Sequence, residues 1–245
     1  MSDRAEQARP AAFFDLDRTL LLANSGKLWM QSERRLGRVT ILQMILGLYY
    51  LLLYRFGLMD IERVMHTALK VVRGQPESMI RERTHTWFRA EVAATAAPGA
   101  WSFLEAHRAR GDRLVLLTSS SPYASEAAAE LFQLDDFLST VFEVQEGCFT
   151  GRVERPICYG EGKVQRAEGY AKTHGIDLDK SYFYTDSTTD LPMLERVGFP
   201  VIVQPDPPLR RRAHKRGWPI LDWRFVDDPE SQVVLDTLKD THPAA

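Results

Sequence analysis

Phe13-Phe14-Asp15-Leu16-Asp17-Arg18-Thr19-Leu20 decides the reading of this chain, because it sets two carboxylates, separated by Leu16 alone, directly behind an apolar stretch. Side chains at i and i+2 of a strand share a face, so both acids point the same way as the chain leaves a sheet. Carboxylates that close repel each other, and both stay ionised only with a cation between them or a proton shared. An Asp-x-Asp after an apolar run also occurs as a helix N-cap or a solvated turn. The rest of the chain decides between the two.

From Trp101 onward the pattern alternates strands with helices. A helix over Ala100 to Arg110, capped by Gly111, precedes an apolar strand Leu114-Val115-Leu116-Leu117. Pro122 opens an Ala- and Glu-rich helix reaching Phe132. A strand Tyr182-Phe183-Tyr184, a helix from Asp190 to Arg196 and a strand Val201-Ile202-Val203 follow. That alternation predicts an α/β fold, a largely parallel sheet covered on both faces. Between Val141 and Val153 a turn at Glu146-Gly147 predicts a β-hairpin. Between Leu22 and Ala97 strand signals vanish, and helices are expected near Lys27 to Leu36, Val39 to Phe56, Asp60 to Val72 and Pro76 to Ala93. The expected organisation is a polar tail at 1–10, an α/β core at 11–22 and 98–245, and an all-helical insertion at 23–97.

With 245 residues, 44% of them hydrophobic, the chain can bury a large core. Its net charge of -2 gives no argument for nucleic acid. The basic cluster Arg210, Arg211, Arg212, Lys215, Arg216 reads as the wet face of a helix. Cys148 and Cys158 lack metal-type spacing, and with no secretory signal they read as reduced thiols of a cytoplasmic protein, a disulfide between them being the lesser alternative. Val39 to Tyr54 is uncharged and flanked by Arg34, Arg35, Arg38 and Arg55. It is shorter than the roughly 20 apolar residues a spanning helix needs, and reads as a buried or interface helix. Contact with a membrane surface is the less favoured alternative. The six histidines show no ligand spacing.

Ligands of open α/β sheets collect beyond the carboxyl ends of the strands. There the sequence sets Asp15 and Asp17, then Thr118 and Ser119, then Lys163 behind Gly160-Glu161-Gly162, then Asp186 and Asp190. Taken singly, Lys163 reads equally as a surface lysine, Thr118 as a strand-end hydroxyl and Asp190 as an N-cap. Taken together they fit phosphoryl transfer, where catalysis is mostly positioning and charge neutralisation. Asp15 attacks phosphorus and forms an aspartyl phosphate. Asp17 protonates the leaving oxygen and later takes a proton from the hydrolytic water. Thr118, Ser119 and nearby amides bind phosphate oxygens, and Lys163 offsets charge shared by Asp15 and the phosphoryl group. Asp186 completes an oxygen-only shell suited to Mg²⁺, with Asp190 orienting it from behind.

Phe-Phe-Asp-Leu-Asp-Arg-Thr-Leu, Leu-Leu-Thr-Ser-Ser, Gly-Glu-Gly-Lys and Tyr-Thr-Asp-Ser-Thr-Thr-Asp-Leu-Pro-Met-Leu resemble, in order, the motifs of the haloacid dehalogenase superfamily. The helical insertion resembles the cap of its phosphoserine-phosphatase-like branch, subfamily IB. The resemblance runs from about Ala11 to Asp222 and implies a Rossmann-like core, with Mg²⁺ held by Asp15, Asp186 and the backbone carbonyl of Asp17. Thr118-Ser119-Ser120 and Thr185-Asp186-Ser187-Thr188-Thr189-Asp190 depart from the phosphoserine phosphatase pattern, and Asn24 stands where that pattern has a glutamate for the substrate's ammonium. An amide cannot pair with that cation as a carboxylate does, which disfavours phosphoserine itself. Dehalogenation is disfavoured because it does not need the second acid, Asp17. The expectation is a Mg²⁺-dependent phosphatase of a small phosphomonoester, its oligomeric state left open. The alternatives are a phosphatase of a lipid-like phosphomonoester at a membrane surface, for which the apolar helix around Leu46 to Leu53 is the motive, and a catalytically silent binding protein of this fold.

Overall fold

The computed structural model describes residues 9–42, 45, 49, 65, 69, 70 and 72–240. At its centre lies β1 (Ala11–Phe14), an apolar run buried along its whole length. On one side it pairs with β2 (Arg113–Leu117), which pairs with β3 (Asp136–Leu138). On the other it pairs with β6 (Tyr182–Thr185), followed outward by β7 (Phe199–Val203) and β8 (Ile220–Leu221). Every pairing in this sheet is parallel, in the order β3-β2-β1-β6-β7-β8. The chain builds outward from β1 to β3 and then crosses to β6, so the loops after β1 and β6 diverge and leave a crevice between them.

Period-two alternation divides the core. Ala12, Phe14, Leu114, Leu116, Tyr182 and Tyr184 face one layer of helices. That layer is α3 (Ala100–Arg110), α4 (Pro122–Phe132) and α8 (Pro229–Asp240). Ala11, Phe13, Val115, Leu117, Phe183 and Ile202 face the other. There lie α5 (Glu161–His174), α6 (Leu191–Arg196) and α7 (Pro207–Arg216). Strands buried on both faces read as near-continuous apolar runs, as Ala11–Phe14 and Leu114 to Leu117 do. On α7, Leu209 and Ala213 are buried while Arg210, Arg211, Arg212, Lys215 and Arg216 face solvent.

The expected hairpin forms β4 (Phe142–Gln145) and β5 (Cys148–Val153). Its turn residues Glu146 (φ 50°) and Gly147 (φ 76°) are both left-handed, as a two-residue type I′ turn requires. Before the core resumes, the chain carries α1 (Ser25–Arg35) and α2 (Glu77–Trp87). The last helix expected there is not continuous: it widens into a π turn at Phe88–Val92 and tightens at Ala93–Thr95. The chain leaves and re-enters the core side by side, since Leu22 N–H donates to Thr95 O (2.8 Å) and Ala97 N–H to Leu20 O (2.8 Å). α2, with the π turn that continues it, also lies against α4, through Arg81–Glu126 (2.7 Å), His85–Glu126 (3.1 Å) and Arg89–Glu130 (3.1 Å). Its start meets the hairpin, where Glu77 N–H donates to Gly147 O (2.9 Å).

Most of 39–56 and 60–72 lies outside the described residues, as does 1–8 of the expected tail. Arg9 N–H donates to Gly175 O (3.0 Å) and Pro10 O accepts from Arg113 N–H (3.3 Å), so both are tied to the core. Helical Ile41, Leu42, Ile45 and Tyr49 are 58, 73, 59 and 52% exposed. Among the described residues no helix is long and apolar enough to cross a membrane. Both cysteines are free thiols.

Candidate active site

Asp15 extends β1 by one hydrogen bond, its N–H donating to Tyr184 O (2.9 Å). Continuing the alternation of β1, its side chain turns to the Phe13 face, where α5 lies. Lys163, in the first turn of α5, is 2% exposed. Its Nζ donates to Asp15 Oδ1 (2.8 Å) and to Asp190 Oδ2 (2.7 Å). Asp190 is held in turn by the Thr185 hydroxyl, which donates to Oδ2 (2.6 Å). The approach of α5 depends on its glycines. Gly160 takes a left-handed φ of 52°, and a Cβ on Gly162 would lie 1.8 Å from the carbonyl oxygen of Ile157.

Asp186 follows β6 and is 6% exposed. Its loop is fastened by Asp206, whose N–H donates to Asp186 O (2.9 Å). The Asp206 carboxylate accepts from Thr188 N–H (3.0 Å), Thr188 Oγ1–H (2.5 Å) and Leu209 N–H (2.8 Å). One side chain thereby caps α7 and fixes the loop carrying Asp186.

The electrostatics are those of too many carboxylates for the cations present. Burial pushes the Asp15 carboxyl from 3.8 up to about 7, with Lys163 opposing and Asp190 adding to the rise. Burial, then Asp15 and Asp190, push Asp186 up to about 8. Burial alone would lower the Lys163 ammonium, but Asp15 and Asp190 hold it above its ordinary value. Among the described residues no group of three or more His, Cys, Asp and Glu side chains could by itself hold a metal ion. The donors that face the crevice are nonetheless all oxygens, and their excess buried negative charge fits a hard divalent cation that keeps several waters.

Asp17 turns toward the start of α1. Its Oδ1 accepts from Ser25 N–H (2.7 Å) and its Oδ2 from Asn24 Nδ2 (3.0 Å). Burial raises its pKa, and the Ser25 N–H opposes that rise. Thr118 is buried at the end of β2, its N–H donating to Leu138 O (3.0 Å) and its Oγ1 accepting from Ser120 N–H (3.2 Å). Ser119 is exposed beside it. The sheet brings Thr118 and Ser119 to the same end as Asp15 without a hydrogen bond to Asp15 or Lys163. Sequence reasoning did not foresee Thr185 or Asp206, and it treated Asn24 only as a missing carboxylate. Asp206 did carry a signal, since an aspartate before Pro207-Pro208 is a helix-start pattern.

A protein-family profile described as haloacid dehalogenase-like hydrolase matches residues 12–195. A probable phosphatase of Mycobacterium tuberculosis is 32% identical over 226 residues, 89% of this chain and 77% of its own length. A histidinol-phosphatase of Neisseria meningitidis is 28% identical over 219 residues, 87% of this chain and 98% of its own. A crystal structure of a protein of unknown function from Bordetella pertussis Tohama I superposes with a TM-score of 0.81 at 28% identity, covering 88% of this chain and 99% of that one. A substrate-bound phosphoserine phosphatase shares the fold with a TM-score of 0.64 at 18% identity, covering 95% and 99%.

Proposed function

We propose that this chain, which belongs to the haloacid dehalogenase-like hydrolase family and is a phosphoric monoester hydrolase, is a Mg²⁺-dependent phosphatase of a small phosphomonoester that works through an aspartyl phosphate on Asp15. The observation that carries this reading is the buried ammonium of Lys163 bridging Asp15 and Asp190, with Asp186 beside them at the ends of β1 and β6. A lysine held there lowers the repulsion that a carboxylate nucleophile meets when it approaches a phosphate dianion. Such an arrangement is also hard to reconcile with a silent binding protein, since burying a lysine among carboxylates serves no packing need.

Asp15 is the nucleophile, with the Lys163 ammonium donating to its Oδ1. Asp17 gives its proton to the leaving oxygen and then accepts one from the water that cleaves the acyl phosphate. Thr118, Ser119 and the amides around them bind phosphate oxygens, and Lys163 balances the charge on Asp15 and the transferred group. Asp190, locked by Thr185 and Lys163, keeps the lysine aimed. Asp15, Asp186 and the carbonyl of Asp17 are the groups that would hold Mg²⁺. When bound, the ion supplies neutralisation of the phosphate and of the carboxylates that burial leaves undercompensated. The segment 23–97, which leaves and rejoins the core side by side, is read as a helical cap that excludes bulk water during attack. The free thiols Cys148 and Cys158 suit a cytoplasmic setting.

Asn24 accepts from Lys27 N–H (2.9 Å) with one end of its amide and donates to Asp17 with the other. No carboxylate stands at that position for a substrate ammonium, which keeps phosphoserine disfavoured. A screen of soluble phosphomonoesters together with a lipid phosphomonoester in vesicles, with and without Mg²⁺, tests the reading. Mg²⁺-dependent phosphate release, fastest on a soluble ester, is expected. Preference for the lipid ester would move the account to an amphiphilic substrate, for which exposed Ile41, Leu42, Ile45 and Tyr49 are the supporting observation. No release from any ester would overturn it.

A further inference from the structure

The amide of Asn24 has both ends committed. Its Oδ1 accepts from Lys27 N–H (2.9 Å) and so caps α1. That acceptor role fixes the amide's orientation, since only the oxygen can accept from a backbone N–H. The Nδ2 end therefore faces Asp17, donating to Oδ2 (3.0 Å), while the next backbone amide, Ser25 N–H, donates to Oδ1 (2.7 Å). Two donors from consecutive residues grip the two oxygens of one carboxylate and set its plane. The same turn is tied to the loop after β2, the hydroxyls of Ser25 and Ser120 lying 3.2 Å apart.

A carboxylate that must meet first a leaving oxygen and then a water gains from being held in one orientation. Each of its oxygens keeps a second lone pair for the transferred proton. Nothing about capping α1 requires the contact with Asp17: serine or aspartate caps a helix as well as asparagine does. This chain contains both alternatives at the same i to i+3 spacing. Ser121 accepts from Ala124 N–H (3.2 Å) and Asp206 from Leu209 N–H (2.8 Å).

We infer that Asn24 is a positioning residue for Asp17, coupling the first turn of α1 to the orientation of the proton-transferring carboxylate. The inference rests on the proposed role of Asp17. Asn24→Ser keeps the cap but is too short to reach Asp17. Asn24→Asp keeps the cap and replaces the donor with an acceptor.

The test compares both variants with the unmodified protein on two probes, an alkyl phosphomonoester and 2,4-dinitrophenyl phosphate, whose leaving group needs no proton. Asn24→Ser is expected to melt within about 2 °C of the unmodified protein, because the cap is conserved, and Asn24→Asp lower, because it sets a second carboxylate against Asp17. On the alkyl ester kcat falls by roughly 10-fold in Asn24→Ser and further in Asn24→Asp, with KM little changed. On the dinitrophenyl ester the burst that reports phosphoenzyme formation keeps its rate. Crystal structures of the variants are expected to have the Asp17 carboxylate turned from its present plane. Unchanged kcat on the alkyl ester, a burst rate on the dinitrophenyl ester that falls as far as kcat on the alkyl ester, or an unmoved Asp17 would each overturn the positioning role. Absence of turnover by the unmodified protein would instead overturn the phosphatase reading, and the crystal structures would still judge the contact.

Discussion

Asp15 and Asp186 are carboxylates whose surroundings favour a proton over a charge, and that has a consequence for how the protein responds to pH. With folded values raised from 3.8 to about 7 and about 8, both are protonated in the folded chain over a range where the unfolded chain has released its protons. Their contribution to stability is full below the unfolded value and is lost as pH rises through about 7 to about 8. On the proposed reading, a divalent cation bound there replaces those protons. Melting followed without metal is expected to weaken between about pH 5.5 and 8.5, with the rise on adding Mg²⁺ larger at the higher pH and accompanied by proton release. A Mg²⁺ effect of the same size at both pH values would contradict this. At the same scale the sequence was informative in proportion to how local each contact is. Asp15, Lys163, Asp186 and Asp190 were legible because they follow recognisable strands and helix starts. The Asn24–Asp17 bond spans a loop whose course no periodicity reveals, so the sequence offered only an absent glutamate.

At the scale of elements, α5 delivers Lys163 to the site, and its first turn is set by contact with the Ile157 carbonyl. Gly162→Ala places a methyl group where the nearest backbone oxygen is 1.8 Å away, so the helix start must move and carry Lys163 with it. Activity is expected to fall by about 100-fold, as for a displacement of order 1 Å in a catalytic group. Gly169→Ala in the same helix meets nothing within 4 Å. It is expected to leave kcat unchanged and to stabilise by roughly 0.5 to 1 kcal/mol in urea unfolding. Equal effects of the two substitutions would sink the claim that α5 is registered through Gly162. Elements were readable where burial wrote a pattern: β1, β2, β6 and β7, the hairpin and helices α3 and α4 lie where apolar runs and turn residues put them. Asp136–Leu138 and Ile220–Leu221 escaped because strands that short at a sheet edge carry no period. Pro229–Asp240 escaped because it packs through a few residues, Leu235 and Leu238 among them, of an otherwise wet helix.

For the whole molecule, the parallel sheet order puts the loops after β1 and β6 at one crevice, and the helical segment leaves the core at the edge of that crevice. The same architecture serves many reactions, so the account stands or falls on whether Asp15 becomes phosphorylated. On the proposed division of work, Asp15→Asn is expected to remove the covalent intermediate, whereas Asp17→Asn is expected to form it from an activated aryl phosphate and then stall. The direct measurement is to quench the protein during turnover with Mg²⁺ and substrate, reduce with borohydride, and map the product by peptide mass spectrometry. An acyl phosphate on aspartate is reduced to homoserine. The prediction is homoserine at position 15, more abundant in Asp17→Asn and missing in Asp15→Asn. Homoserine at another aspartate, or none anywhere while phosphate is being released, would contradict the account.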